Sequence, residues 1–249
     1  MGVLTEALAP GVRGRWDWAN SLTVRIEGRA PESAAEAAVL GGRNALAVET
    51  AAGWELVQFR HADLIGGGVW RLSGLLRAQQ GTDAEAAAGA EAGAVVVLLD
   101  ATPARLSVGA GERNLPLTVR VAPRGTPAGG PLATTLGFTW KGVAERPWAP
   151  AHLRAEAAED GVRIGWVVRD RLSDGWDGEA APADPLRFRV RVLDDGAVVR
   201  SFEAMATSAL YAVEDVASDL PGGMGGVEIG VAQWSDVFGW GSEVRVQMS

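Results

Sequence analysis

The sequence predicts an all-β fold, and three observations carry that prediction. Apolar and polar residues alternate with a period of two in most of the patterned runs, which is the signature of half-buried strands. Helical periodicity is confined to two brief stretches. The last hundred or so residues break into seven short apolar runs separated by turn residues, the pattern of a β-sandwich.

Taken in order, Leu22–Ile26 alternates as Leu-Thr-Val-Arg-Ile and ends at a glycine, so it reads as a strand. Ser33–Leu40 is the first helical candidate, with Ser33 as N-cap and Glu36 completing a capping box. Glu55–Phe59 alternates again. The stretch Trp70–Thr82, WRLSGLLRAQQGT, reads as a strand closed by a Gln-Gln-Gly-Thr turn; Trp70, Leu72, Leu75 and Leu76 would be buried while Arg71 and Arg77 stay solvated. Thr82–Ala88 is the second helical candidate. Ala94–Asp100 is continuously apolar until its last residue, which predicts a central strand covered on both faces. Leu117–Val121 alternates once more. Two prolines around Trp148 bar regular structure between residues 142 and 150 and set a boundary, giving a β-rich first domain over 1–146 and a sandwich over 147–249. The strands of the second part are read at Ala151–Ala157, Val162–Val168, Leu186–Leu193, Ala197–Phe202, Ala209–Val213, Val227–Gln233 and Val244–Met248.

Composition narrows the function. The chain has 249 residues, 47% hydrophobic and 22% charged, enough to bury a sizeable core. Cysteine is absent, so disulfides, thiolate catalysis and cysteine zinc sites are excluded. A net charge of -8 opposes nucleic-acid binding, and the arginines at 187, 189 and 191 are explained by strand alternation. No run is long and apolar enough for a membrane span, and Met1-Gly-Val-Leu-Thr-Glu lacks a basic segment before an apolar one, so neither membrane insertion nor a signal peptide is expected.

No catalytic, cofactor-binding or metal-ligating residue is expected. His61 and His152 stand far apart in strand-like runs, without the spacing of a zinc helix or a neighbouring nucleophile. Glu159-Asp160-Gly161 and Asp194-Asp195-Gly196 lie between apolar runs and read as β-turns. Gly66-Gly67-Gly68 and Gly222–Gly226 lack phosphate-loop spacing and read as loops. The best binding surface is the loop Asp170–Gly178, where Trp176 between Asp174 and Asp177 sets a flat apolar ring beside acceptors, a chemistry that suits a sugar. Trp240, near the end of the chain, joins these three as a candidate for surface or glycan contact. The carboxylates also suit calcium in type, but not with EF-hand spacing. Of the ten tryptophans, Trp54, Trp70, Trp140 and Trp166 read as core or half-buried sheet positions, and Trp148, Trp176, Trp234 and Trp240 as linker or turn positions.

Residues 149–249 resemble a fibronectin type III domain: prolines lead into the first strand, Trp166 sits within the second, and Val231–Ser242 looks like the last hairpin. The family's frequent sixth-strand tyrosine is replaced by Ile229 or Val231. Six blocks in order, AVLGGRNALAV, WELVQFRHADLIGGGVWRLSGLLRAQQGTDA, GAVVVLLD, ERNLPLTVRVAPRG, RPWAPAHLRA and IGWVVRDRLSDGWDG, resemble the C-terminal region of phage tail-tip proteins. The nearest of these in pattern are the baseplate hub, or megatron, host-specificity proteins of gene transfer agents. The resemblance runs from about Trp16 to Gly241. It implies a virion component of a tail tip or baseplate, made in the bacterial cytoplasm. Its partners would be other tail proteins, further copies around the tail axis and a host cell-surface glycan. Family members are longer, with hub domains and often a glycoside-hydrolase-like barrel upstream, so a split gene or a fragment is the expectation for a chain of this length. The rival expectation is a carbohydrate-binding or adhesion module acting through the sandwich loops. A third, an accessory domain of a glycan hydrolase, requires a converging acid pair for which the sequence offers no support.

Overall fold

The computed structural model describes residues 1–99, 106–169 and 184–248, and its fold is all-β with three short helices among them. Two compact units are present: Met1–Thr102 together with Arg146–Ser249, and Pro103–Glu145.

The first hundred residues form a closed antiparallel barrel. Its strands are β1 (Gly2–Leu4), β2 (Leu22–Ile26), β3 (Ala45–Thr50), β4 (Gly53–Gly66), β5 (Val69–Gln79) and β6 (Val95–Leu98), in the order β1-β2-β5-β4-β3-β6, with β1 and β6 pairing to close it. Closure leaves no open sheet edge. Alternation aims Leu22, Val24, Leu46, Val48, Val57, Phe59, Leu72 and Leu75 into one interior, each at most 1% exposed. Gly66, Gly67 and Gly68 make the turn between β4 and β5, all with positive φ, as a glycine loop should. Helix α1 (Glu36–Leu40) precedes β3 and helix α2 (Asp83–Ala88) follows β5.

Four expectations are corrected in the barrel. Arg77 is fully buried, not solvated. Gly74, with φ at 63°, interrupts the alternation of β5, so Leu72 before it and Leu75 and Arg77 after it all face inward. Ser33 does not cap α1: Ala35 holds the N-cap position without a side-chain bond, Ser33 Oγ accepts from the Ala62 amide at 2.9 Å, and Glu36 pairs with Arg60 at 2.8 Å. In β6 only Val96 is buried, because a barrel wall has one interior face and its other side stays partly open to water. Trp54 is 47% exposed, since it stands beside the inward Glu55 and so points outward. The turn Gln79–Thr82 ends β5 as read: Gln80 and Gly81 take positive φ, and Thr82 Oγ1 donates to the Gln79 carbonyl at 2.8 Å while accepting from the Leu56 amide.

The sandwich packs a three-stranded sheet against a four-stranded one. Strands β9 (Ala151–Ala158), β10 (Gly161–Val167) and β13 (Ser208–Ala212) form the first, in the order β13-β10-β9. Strands β11 (Phe188–Asp194), β12 (Ala197–Ala204), β14 (Glu228–Ser235) and β15 (Gly239–Gln247) form the second, in the order β12-β11-β14-β15. This is a fibronectin type III-like sandwich. Trp166 and Phe188 meet edge-on across the layers at 5.1 Å, amid Val162, Ile164, Val190, Ile229 and Val231. Asp195 and Gly196, both at positive φ, make the tight turn between β11 and β12. Helix α3 (Val213–Asp219) links the sheets, and Tyr211 beneath it donates its hydroxyl to Asp219 at 3.0 Å.

The unit Pro103–Glu145 is built on a hairpin of β7 (Pro116–Val121) and β8 (Thr134–Thr139). Near its ends, Arg113 lies 5.5 Å over the Trp140 ring and donates to Glu145 at 2.7 Å. None of the hydrophobic side chains described between 106 and 145 is buried. Two strands alone have too little apolar area to make a core.

Candidate functional site

The outer face of the four-stranded sheet gathers cationic, aromatic and acidic side chains in an interleaved array. On β11, Phe188, Val190 and Val192 are fully buried, so strand alternation sends Arg189 and Arg191, and Arg187 just before the strand, to the opposite face. The β14–β15 hairpin shifts register between Ala232 and Trp234, which brings Trp234 opposite Trp240. Their rings meet edge-on, 5.0 Å apart at 70°. The Arg187 guanidinium lies 4.8 Å from the Trp234 ring and 5.6 Å from that of Trp240, and Arg189 lies 4.9 Å from Trp240.

Carboxylates balance the arginines. Arg187 donates through Nε and Nη2 to the two oxygens of Glu203, both at 2.8 Å, a bidentate pair. Glu243 accepts from Arg191 Nε at 2.6 Å and from Arg245 Nε at 2.9 Å. Trp234 donates its indole N–H to Asp236 at 2.9 Å. The bond from Arg187 holds the Glu203 carboxyl below its ordinary range and pushes the Arg187 guanidinium up. Glu203 is therefore ionised near neutral pH and serves as an acceptor rather than an acid. The array offers half-buried ring edges beside fixed charges, which suits the recognition of a polar, ring-bearing surface.

Of the four residues singled out from sequence, Trp240 stands in this array, its ring engaged by Arg187 and Arg189. Asp174, Trp176 and Asp177 lie outside the described residues. His61 lies on β4 of the barrel and His152 on β9 of the sandwich, so the two are not brought together. No group of three or more acidic or histidine side chains suited to a metal occurs among the described residues. Sequence reading missed Arg187, Arg189, Glu203 and Glu243. The legible signal was the Arg-Phe-Arg-Val-Arg alternation, read as ordinary strand pattern without a partner for its polar side. It also passed over Trp16 and Trp18, whose tilted rings lie 5.8 Å apart on the barrel, Trp18 beside His61 and 58% exposed.

Residues 1–97, the barrel segment, match the family model described as Rcc01698-like, C-terminal. No curated protein matches the chain. Among solved structures, the crystal structure of the rat CD45 extracellular region, domains d3-d4, is similar at 12% identity, covering 59% of this chain and 70% of that one with a TM-score of 0.30.

Proposed function

We propose that the chain is a non-enzymatic component of a phage-like, gene transfer agent-like tail tip or baseplate, in which the barrel serves assembly and the sandwich serves attachment to the host surface. The observation that carries this reading is where the resembling blocks fall. They build the scaffold itself: β3, the β4–β5 hairpin, β6, β7, the entry into β9 and the second half of β10. Their apolar positions at Leu46, Val57, Phe59, Leu72, Leu75 and Val96 line the barrel interior, so the resemblance is one of architecture rather than of a reactive centre. Copies around a tail axis would meet through outward barrel surfaces, where Trp18, Leu64 and Ile65 are exposed. Electron microscopy of purified particles carrying a label at the C-terminus tests the assignment. Label at the tail tip is expected; label found only in host cytoplasm overturns it.

A second reading, a carbohydrate-binding or adhesion module, is favoured by the arginine and tryptophan array on the sandwich. It predicts that the isolated chain binds capsule or lipopolysaccharide without other tail proteins. Absence of binding by a chain that co-purifies with tail proteins would leave the assembly role alone.

A further inference from the structure

Between β6 and β9 the chain inserts the hairpin of β7 and β8, and the strand register sorts its side chains by face. Leu117 stands opposite Phe138 and Val119 opposite Leu136, with Val121 following on the same side, so these five share one face while Thr118, Arg120 and Thr135 take the other. None of the five is buried; Val121 is 53% exposed and Leu136 54%. Together they leave a few hundred Å² of apolar surface in water, the size at which such a patch marks an interaction site. A lone two-stranded hairpin is marginal in water, so covering this face would also stabilise the hairpin.

Charge selects the occupant. Five of the chain's 23 basic residues lie between Pro103 and Glu145, but only two of its 31 acidic ones do. This unit is therefore net positive, and the larger unit is more acidic than the whole chain's net charge of -8. Arg120, Arg124 and Lys141 are exposed and make no ion pair among the described residues. An apolar face thus lies among cations that still lack a counter-charge.

A second hairpin laid face to face would set two positive units together, and like charges across an interface oppose association. An anionic membrane would attract the hairpin but repel the acidic unit that comes with it. The acidic larger unit of a second copy meets neither objection. We infer that β7 and β8 of one copy dock by this apolar face on the larger unit of the next. Donor and acceptor surfaces then differ, so the contact is heterologous, the kind that closes into a ring around an axis. This deepens the assembly reading by naming the surface and its partner, and rests on that reading for its place in a tail.

Analytical ultracentrifugation of the full chain, from dilute to concentrated solution, tests the inference. Self-association that weakens as salt is added is expected, because opposite charges draw the copies together. Leu136→Asp, and separately Arg124→Glu with Lys141→Glu, should each weaken it by about tenfold or more. All three positions are exposed, and an unchanged far-ultraviolet circular dichroism spectrum shows that the variants fold; should Leu136→Asp not fold, the charge reversal decides. Thr118→Asp, which puts the same charge on the opposite face, should weaken association less. A chain that stays monomeric at every concentration, association that strengthens with salt, or equal losses from Thr118→Asp and Leu136→Asp would overturn the inference. Binding of the monomer to phosphatidylglycerol vesicles, abolished by Leu136→Asp, would overturn it too and give the face to a membrane. Label at the tail tip from a chain that does not self-associate would remove this contact and leave the tail assignment standing. Self-association by a chain found only in host cytoplasm would do the reverse.

Discussion

Arg77 on β5 meets Glu55 on the neighbouring strand β4, donating from Nε at 2.6 Å and from Nη2 at 2.8 Å, with both side chains fully buried. The pair is embedded in a network. Arg77 Nη1 donates to the Ala9 carbonyl at 3.0 Å, the Ala78 amide donates to Glu55, and Asp17 stands 3.7 Å from the guanidinium while accepting from the Ala19 and Asn20 amides. Two charges and their hydrogen bonds thereby tie the chain before β2 to β4 and β5.

Removing one partner leaves an uncompensated buried charge. Arg77→Met is expected to destabilise the chain by about 3–5 kcal/mol, whereas Arg77→Met with Glu55→Leu should recover much of that loss. Urea denaturation of the three proteins measures both values. A double variant no more stable than the single one would refute the account.

Gly74 permits the inward turn of Arg77, and it is closely covered. A Cβ there would stand 2.8 Å from Trp18 Cζ3, at a backbone φ of 63°. Gly74→Ala is predicted to cost at least about 1–2 kcal/mol from the left-handed backbone alone, and to shift the fluorescence of the displaced Trp18. A melting temperature within error of the parent would show that β5 does not need this kink.

On the sandwich, Arg187→Ala removes the cation from both rings and the partner from Glu203. A small loss of stability is predicted, together with weakening of the near-ultraviolet circular dichroism produced by the Trp234–Trp240 pair. Trp240→Ala should remove the same signal. Persistence of the signal in both variants would mean that the rings are not coupled as described.

Stability should fall at both ends of the pH range. Arg200 holds the Asp219 carboxyl below its ordinary value, and Arg187 does the same for Glu203. The unfolded chain therefore takes up protons first on acidification, so this stabilisation is present above the ordinary carboxylate range and is lost as pH falls through it. Burial, with the bond to Asp219, pushes the Tyr211 hydroxyl up to about 12. The unfolded tyrosine ionises near 10, so stability declines as pH rises from about 10 toward about 12. Thermal melts across pH should show Tyr211→Phe flattening the alkaline limb alone and Glu203→Gln reducing the acid limb alone.

Brief trypsin digestion should cut first at Arg120 or Arg124, both exposed in the unit that lacks buried apolar side chains. Mass spectrometry of the first fragments reads the site. First cleavage at Arg25, Arg71 or Arg191, within strands that border a buried core, would contradict this ranking of local stability.

The sequence by itself determined most of the strands and where many of them turn, but not Gly2–Leu4, Ala45–Thr50 or Thr134–Thr139. Leu22–Ile26 and the seven runs after residue 150 are visible because period-two alternation is a local property, and Asp195-Gly196 announces its turn because few residues tolerate positive φ. Only the tertiary structure decided which polar side chains those strands hide or bring together. Arg77 looked solvated until Gly74 reversed its face and Glu55, 22 residues away, met it inside the barrel. The Trp234–Trp240 pair, its arginines from β11 and its carboxylates from β12 and β15 meet only once four strands lie in register. Hydrophobic alternation is written along the chain, but the partner of a charge is set by strand order, and strand order is a property of the whole fold.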